Sequence, residues 1–171
     1  MKMSKIILET KRLRLERIGF EHKTALYELL ANPKVHQFFP KVLDRNEARE
    51  FFEKIQDRDR TDGHSFWAVI LKSDLSFIGI CGLLSQTIDG NKEIEVGYRL
   101  SDKYWNHGYG TEAASGCIQY ASDTLSVTSI ISLIQSVNKL SIRVAEKNGL
   151  TFEKETMFQG LPHLVYRLYL N

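Results

Sequence analysis

Hydrophobic residues in the first part of the chain change from an alternating to a helical spacing. Residues 9–18 set Leu13 and Leu15 among charged residues, which predicts a strand with one exposed face. Residues 21–31 then carry leucines at helical intervals, and this helix should end before Pro33 because the residue preceding a proline disfavours the helical conformation. The chain is therefore predicted to begin with a strand and then a helix.

A second helix is predicted to begin at Asp44, since Glu47 follows three residues later and the two can form a capping box. Three antiparallel strands joined by short turns come next, followed by a helix, a strand, a helix that ends at Gly149, and a closing hairpin. The predicted bounds are 65–72, 77–84 and 94–100 for the three strands, 108–123, 129–135 and 139–148 for the next elements, and 152–158 and 164–170 for the hairpin.

This order predicts an α/β (α+β) fold with a mixed, mostly antiparallel central sheet of about seven strands and four helices. Its only parallel crossover should join residues near 94 to residues near 135. At 171 residues and 43% hydrophobic composition, the chain has the size of one domain, and no linker or repeat divides residues 1–171.

Composition excludes several classes of function. The 23 basic and 21 acidic residues nearly cancel, so a nucleic-acid partner is not indicated. Cys81 and Cys117 belong to no Cys/His cluster and the five histidines are scattered, which predicts two buried thiols and no metal. No hydrophobic run approaches the roughly 20 residues of a membrane span, and residues 1–7 do not resemble a secretory signal. We expect a cytoplasmic protein with no membrane partner.

The segment most suggestive of chemistry joins a predicted strand to a helix at residues 105–113. Gly108 and Gly110 allow a ligand to approach the backbone, and the first amides of the following helix lack intrahelical acceptors, which favours phosphate. A plain glycine turn is the alternative. A dinucleotide fingerprint fits poorly, because residues 101–107 separate Gly108 from its strand and no acid follows the next strand at Gln135. A Walker A loop is excluded, since no Gly-Lys-Ser/Thr is present.

Residues 95–100 (EVGYRL) and 104–113 (YWNHGYGTEA) together resemble the acetyl-CoA signature of the GNAT acetyltransferase superfamily. Within it, residues 138–150 (NKLSIRVAEKNGL) and the opening TKRLRL at 10–15 resemble the Rim-type branch, which acetylates ribosomal-protein N-termini. The resemblance covers the chain from about residue 9 to its end.

The resemblance implies that acetyl-CoA lies in a splayed central sheet. Its pyrophosphate would bind at 106–111, and its pantetheine would pair with backbone at 98–100. Gly97 is interpreted either as a bulge that splays the strand or as a glycine tolerated in an ordinary strand. Asn138 can equally be a helix N-cap, and Lys147 a solvated helix end. The implied cofactor residues are Tyr98, Arg99, Leu100, Trp105, Asn106, His107, Gly108, Tyr109, Gly110, Thr111, Asn138, Ser141 and Lys147.

Acyl transfer to an amine needs a group that accepts the amine proton and a group that protonates the leaving thiolate. The family's common tyrosine acid aligns with Ala145 here, so the resemblance leaves Ser141 as the acid or sulfur contact. Glu95 is the candidate base, with an exposed strand carboxylate as its alternative. His107 could titrate near neutrality, although its place in the phosphate loop favours a backbone role.

The acceptor amine is less readable from the sequence. In this family the first two helices form one wall of the amine site, which here includes residues 38–40 (Phe-Phe-Pro). The second helix also carries acids that could attract a cation, but they alternate with bases, which favours a mixed solvated face. Those acids are Glu47, Glu50, Glu53, Asp57 and Asp59.

The first predicted acceptor is a protein N-terminal amine, and the second a small amine such as a polyamine or aminoglycoside. A CoA-binding sensor or structural module without transfer activity is the alternative, because Ala145 replaces the common acid. A homodimer is compatible with the sequence, since aromatic residues such as Tyr169 suit either a core or an interface.

Overall fold

The structure, a computed structural model, describes residues 5–171. Residues 1–4, part of the segment considered for a secretory signal, lie outside the described residues. The elements, in chain order, are β1 (Ile6–Glu9), β2 (Leu13–Arg17), α1 (Lys23–Leu30), α2 (Arg45–Asp62), β3 (Phe66–Leu71), β4 (Phe77–Ile88), β5 (Asn91–Leu100), α3 (Tyr109–Thr124), β6 (Ser129–Ile134), α4 (Lys139–Lys147), β7 (Thr151–Phe158) and β8 (Leu161–Tyr169).

The strands form one sheet in the order β1-β2-β3-β4-β5-β6-β8-β7. Every neighbouring pair is antiparallel except β5 and β6, which confirms the mixed sheet with its parallel crossover. The sheet has eight strands where about seven were predicted, because residues 9–18 contain the end of β1, a turn and then β2. The run Ile6-Ile7-Leu8 shows no alternation of polar and hydrophobic residues, so the pattern does not mark β1.

The predicted helix caps agree with the structure. Asp44 accepts a hydrogen bond from the Glu47 amide at 2.9 Å, and the Glu47 carboxylate accepts one from the Asp44 amide at 3.0 Å, which completes the capping box of α2. The Asn138 side chain accepts from the Ser141 amide at 3.2 Å and caps α4. Gly149, at φ 85°, follows that helix.

Hydrophobic cores lie on both faces of the sheet. β3 shows this most clearly, because Phe66, Ala68 and Ile70 pack with α1 and α2, whereas its other residues pack with α3. α3 approaches its face of the sheet through small buried residues. They are Ala113, Ala114, Cys117 and Ala121, and each is at most 2% exposed. The sheet is therefore covered on both faces.

β5 and β6 separate soon after they meet. The parallel ladder has a single register pair, Glu95 with Ile131, supported by a hydrogen bond from the Ser132 hydroxyl to the Val96 carbonyl at 3.2 Å. The antiparallel ladder between β4 and β5 continues without a register shift through Gly97, so the bulge predicted there is absent from that ladder. The cleft between the strands instead arises because residues 96–100 of β5 diverge from β6.

Candidate functional site

A cleft of about 810 Å³ opens between the diverging strands β5 and β6. All of the predicted site residues except one line it: Glu95, Tyr98, Arg99, Leu100, Trp105, Asn106, Gly108, Tyr109, Gly110, Thr111, Asn138, Ser141 and Lys147. The exception is His107, which is exposed. The His107 carbonyl accepts a hydrogen bond from the Arg12 guanidinium at 2.9 Å, so its contribution is to the loop backbone.

The side chains of β5 divide the cleft into two halves. Successive side chains of a strand lie on opposite faces of the sheet. Tyr98 and Leu100 lie on the face that packs with α3. Arg99 lies on the other face, against Phe39 and Phe51. We call the first side the α3 half, lined by Tyr98, 108–111, Asn138 and Ser141. The second is the α2 half, lined by Phe39, Phe51, Arg58, Glu95 and Arg99.

The α3 half begins at the glycine loop. Gly108 takes the left-handed conformation at φ 79° as the N-cap of α3, which a residue with a Cβ adopts only at a cost. The first helical hydrogen bond runs from the Glu112 amide to the Gly108 carbonyl at 3.0 Å. The amides of residues 109–111 therefore have no acceptor within the helix. These amides and the helix dipole favour a phosphate at this end of the cleft.

The turn between β1 and β2 fixes this loop, a contact that the sequence analysis missed. The Arg12 guanidinium donates to the His107 carbonyl and also pairs with Glu112 at 2.6 Å. Glu112 accepts two more hydrogen bonds, from the Thr10 hydroxyl and the Arg12 amide, both at 2.7 Å. These bonds lower the pKa of Glu112, although its burial acts in the opposite direction. Arg12 and Glu112 are 100 residues apart, and no local pattern links them.

Two hydroxyls meet on the floor of the α3 half. The Tyr98 hydroxyl donates to the Ser141 hydroxyl oxygen at 3.0 Å. Burial raises the pKa of Tyr98 to about 12, so its hydroxyl keeps its proton at neutral pH. The sequence predicted a role for the Ser141 hydroxyl but only a general cofactor contact for Tyr98. Ala145, at the position of the family's common acid, is buried and contributes no polar group.

The α2 half contains Glu95, whose carboxylate accepts a hydrogen bond from the Gln86 side chain at 2.9 Å. Glu95 is half-buried, and this burial raises its pKa to about 7. The Gln86 hydrogen bond and the charges of Arg99 and Arg58 act in the opposite direction and lower the pKa. A carboxylate that titrates near neutrality can take up and release a proton at physiological pH.

Arg99 was predicted to contact the cofactor through its backbone, and its guanidinium lies in the α2 half. The guanidinium carbon is 3.9 Å from the ring centroid of Phe39 and 5.0 Å from that of Phe51. One of its nitrogens donates to His36 Nε2 at 2.8 Å, and His36 Nδ1 in turn donates to the Asn32 carbonyl at 3.2 Å. Burial lowers the pKa of Arg99 to about 10, which leaves it cationic at neutral pH. It thus places a positive charge in the α2 half.

The acids of α2 turn away from the cleft. Glu47 pairs with Lys41, Asp57 with Arg60 and Asp59 with Arg17, whereas Glu50 and Glu53 are exposed. The residues that α2 contributes to the cleft are Phe51, Lys54 and Arg58. The mixed solvated face is therefore the better description of four of these acids, whereas Asp59 is largely buried against Arg17.

Two features concern other classes of site. Among residues 5–171, no group of three or more His, Cys, Asp or Glu side chains is arranged to hold a metal ion. Across the same residues, no helix has the length and hydrophobicity that a transmembrane segment requires.

Cys81 and Cys117 are free, buried thiols, and their sulfurs are 3.6 Å apart.

The fold and the cleft define a CoA-dependent acyltransferase, and comparison with known proteins agrees. Residues 12–151 match the family model of the GNAT acetyltransferase domain. This chain belongs to the GNAT acetyltransferase family and is an acetyl-CoA-dependent N-acetyltransferase.

Individual relatives extend over nearly the whole chain. The uncharacterised protein YkkB of Bacillus subtilis is 32% identical over 95% of both chains. The structure is similar to an acetyltransferase from Agrobacterium tumefaciens, with a TM-score of 0.84, 24% identity and coverage of 98% of this chain and 96% of that one. It is also similar to RimL, a ribosomal L7/L12 α-N-protein acetyltransferase in complex with CoA, with a TM-score of 0.78, 16% identity and coverage of 96% and 98%.

Proposed function

We propose that the α3 half holds acetyl-CoA and that the α2 half presents the α-amine of a polypeptide N-terminus to the thioester. The observation that carries this proposal is the splay of β5 from β6. It leaves the Tyr98 and Ser141 hydroxyls on one side of a single strand and the Glu95 carboxylate on the other. A thioester held between them meets a proton donor and a proton acceptor.

The cofactor contacts follow from the α3 half. The amides at the start of α3 bind the pyrophosphate, and Arg143 and Lys147, which line the cleft from α4, add positive charge for phosphate. Residues 97–99 of β5 have no β6 neighbour in the ladder, so their backbone on that edge is available to pantetheine amides. The cofactor roles predicted for the glycine loop, Asn138, Ser141 and Lys147 agree with this arrangement.

The titration of Glu95 favours an α-amine as acceptor. An α-amino group has a pKa of about 8 and a lysine amine about 10.4. Glu95, with a pKa of about 7, is far better matched to the first as a proton acceptor. The CoA-bound α-N-protein acetyltransferase among the similar structures supports the same acceptor class. A polyamine or aminoglycoside is the second acceptor class, and the amines of a polyamine, which resemble that of lysine, suit Glu95 less well.

The transfer itself uses the three groups in sequence. The neutral amine attacks the thioester carbonyl carbon, and Glu95 accepts the proton that the nitrogen loses. The carbon–sulfur bond then breaks and the amide forms. The thiolate of CoA accepts a proton from the Tyr98 and Ser141 hydroxyl pair, which bulk water restores. Because a thiol has a pKa near 8.5, a nearby donor favours its departure.

The alternative candidate from the sequence, a CoA-binding module without transfer activity, rested on Ala145, which lacks the family's common hydroxyl. The hydroxyl pair and the carboxylate argue against this candidate, since a passive binder has no use for a base with a pKa of about 7 beside the cofactor.

Thiol release from acetyl-CoA separates the candidates. Peptides with a free N-terminus, the same peptides with a blocked N-terminus, and spermidine should be compared, with the acetylated position identified by mass spectrometry. We expect release with free N-termini and none with blocked ones. Binding of acetyl-CoA without release for any amine would contradict transfer, and preferential release with spermidine would contradict the α-amine.

A further inference from the structure

The charge of the cleft is uneven. Seven lysines and arginines line it, and Glu95 is its one carboxylate among the residues that the structure describes. Arg143 and Lys147 belong to α4, on the side assigned to cofactor phosphates. The other five lie toward the α2 half: Lys34, Lys41, Lys54, Arg58 and Arg99.

Three of these five have no carboxylate partner within residues 5–171. Lys34 pairs with Asp102 at 3.6 Å, and Lys41 pairs with Glu47. No ion pair involves Lys54, Arg58 or Arg99 in this part of the chain. A concentration of unpaired positive charge in a concave site attracts anions, because the surrounding low-dielectric wall strengthens the field.

Arg99 is the most unusual member of this group. Its Nε is buried and has no hydrogen-bond partner among residues 5–171. Leaving a buried donor unpaired is costly, and a native protein normally satisfies such a group. His36 and the Phe39 and Phe51 rings hold the guanidinium in place, so its position does not depend on a ligand.

The planar guanidinium recognises carboxylate and phosphate through paired hydrogen bonds. Arg58 lies near enough to Glu95 to lower the pKa of that carboxylate, as Arg99 does, so both positive charges act on the space where the amine must arrive. An acceptor in this space therefore lies beside one negative charge, that of Glu95, and at least two positive charges, those of Arg58 and Arg99.

We propose that the acceptor is an amine that also carries a carboxylate, which Arg99 and Arg58 bind while the amine meets Glu95. This inference rests on the proposed function and specifies its acceptor. The carboxylate has two sources, the acidic side chain of a residue near a peptide N-terminus or the free carboxylate of a small amino acid. Polyamines and aminoglycosides carry further positive charge instead, and the unpaired cations oppose them.

The test compares acceptors that differ only in charge. Peptides beginning Asp-Ala and Asn-Ala, free alanine and alaninamide, and spermidine are assayed by thiol release at saturating acetyl-CoA. We expect kcat/KM to be about tenfold to a hundredfold higher for the acidic member of a pair, the range typical of one charge-assisted hydrogen-bonded pair. A preference within the peptide pair indicates an acidic side chain near a peptide N-terminus, and a preference within the amino acid pair indicates the carboxylate of a small amino acid.

Variants locate the effect. Arg58→Gln and Arg99→Gln should raise KM for the acidic acceptor and reduce its advantage over the amide to less than threefold, with little change for the amide itself. Arg58→Gln keeps the test meaningful if Arg99→Gln does not fold. The matched control is Arg49→Gln, which removes an exposed charge of α2 outside the cleft and should keep the preference intact.

The outcomes separate this inference from the proposed function. Thiol release with no preference for the acidic member of either pair, or with better rates for spermidine, overturns the inference and leaves transferase function standing. If no acceptor releases thiol, alanine and the Asp-Ala peptide are titrated calorimetrically into the CoA-loaded protein. Binding that Arg58→Gln or Arg99→Gln weakens supports the carboxylate site, and absence of binding overturns it.

Discussion

The two halves of the cleft are built differently. The α3 half depends mainly on backbone: the left-handed N-cap at Gly108, free amides at 109–111 and an exposed strand edge at 97–99. The α2 half depends on side chains that β5, α2 and the segment around Phe39 bring together. Backbone geometry suits a cofactor shared by a whole family, whereas side chains can change from one member to the next and set the acceptor.

The largest effect should come from the base in the α2 half. We expect Glu95→Gln to lower kcat by a factor of about 10² to 10⁴, the usual range for removing a general base, with the Kd for acetyl-CoA unchanged. Glutamine keeps the hydrogen bond with Gln86, so the fold should persist. Single-turnover acetyl transfer measures the rate. Glu50→Gln, which changes an exposed carboxylate of α2 outside the cleft, is the control, and equal losses in both variants would refute the role of Glu95.

A smaller effect is expected from obstructing the α3 half. A Cβ at Gly110 would be 3.6 Å from the Tyr98 ring, an ordinary contact, so Gly110→Ala should bind acetyl-CoA nearly normally. Gly110→Val would extend branched carbons into the cleft, and we expect its Kd to rise about a hundredfold, or about 2.7 kcal/mol. Calorimetry measures both. Gly108 is a less clean site, because its φ of 79° strains any replacement. Unaltered affinity in Gly110→Val would contradict the cofactor position.

The hydroxyl pair should contribute less than the base. We expect Tyr98→Phe and Ser141→Ala each to lower kcat by about tenfold to a hundredfold, and the double variant by little more than the worse single one, because the two groups act as a unit. Steady-state kinetics at saturating acetyl-CoA measures these losses. Full additivity of the two effects would show that the hydroxyls act separately.

The smallest effect is a shift in pH dependence. In the proposed role Glu95 accepts a proton and must be deprotonated, so activity should rise as pH passes through about 7. The Gln86 hydrogen bond lowers the pKa of Glu95, so Gln86→Leu should move this midpoint to higher pH and reduce the rate severalfold at pH 7. The wild type and Gln86→Leu are compared by rate–pH profiles measured with the same acceptor. The titration of the acceptor amine then contributes equally to both profiles. A midpoint that moves to lower pH would be incompatible with Glu95 as the base.

Much of the α3 half was predictable because its signals are local. The N-cap at Asn138 requires only the Ser141 amide three positions later, and the glycine loop is contiguous. These short-range patterns predicted the start of α4 and the loop that lines the cleft. The extra strand β1 escaped prediction since four residues without alternation carry no periodic signal.

For the α2 half the sequence named Glu95 and residues 38–40 as candidates, but their contacts were not predictable, because they join distant residues. Arg99 meets His36 across 63 positions. The same holds for one contact of the α3 half, since the Tyr98 hydroxyl meets Ser141 across 43 positions. The alternation of β5 does put Glu95 and Arg99 on one face, but the sequence does not reveal which face holds the cofactor. Burial, which raises the pKa of Glu95, is likewise a property of the assembled fold.

The division of the cleft is tested most directly by calorimetric titration of acetyl-CoA into the wild-type protein and into Glu95→Gln. We predict saturable binding at one site per chain with the same Kd in both, because the cofactor occupies the α3 half. Absence of binding to the wild type, or its loss in Glu95→Gln, would contradict this account.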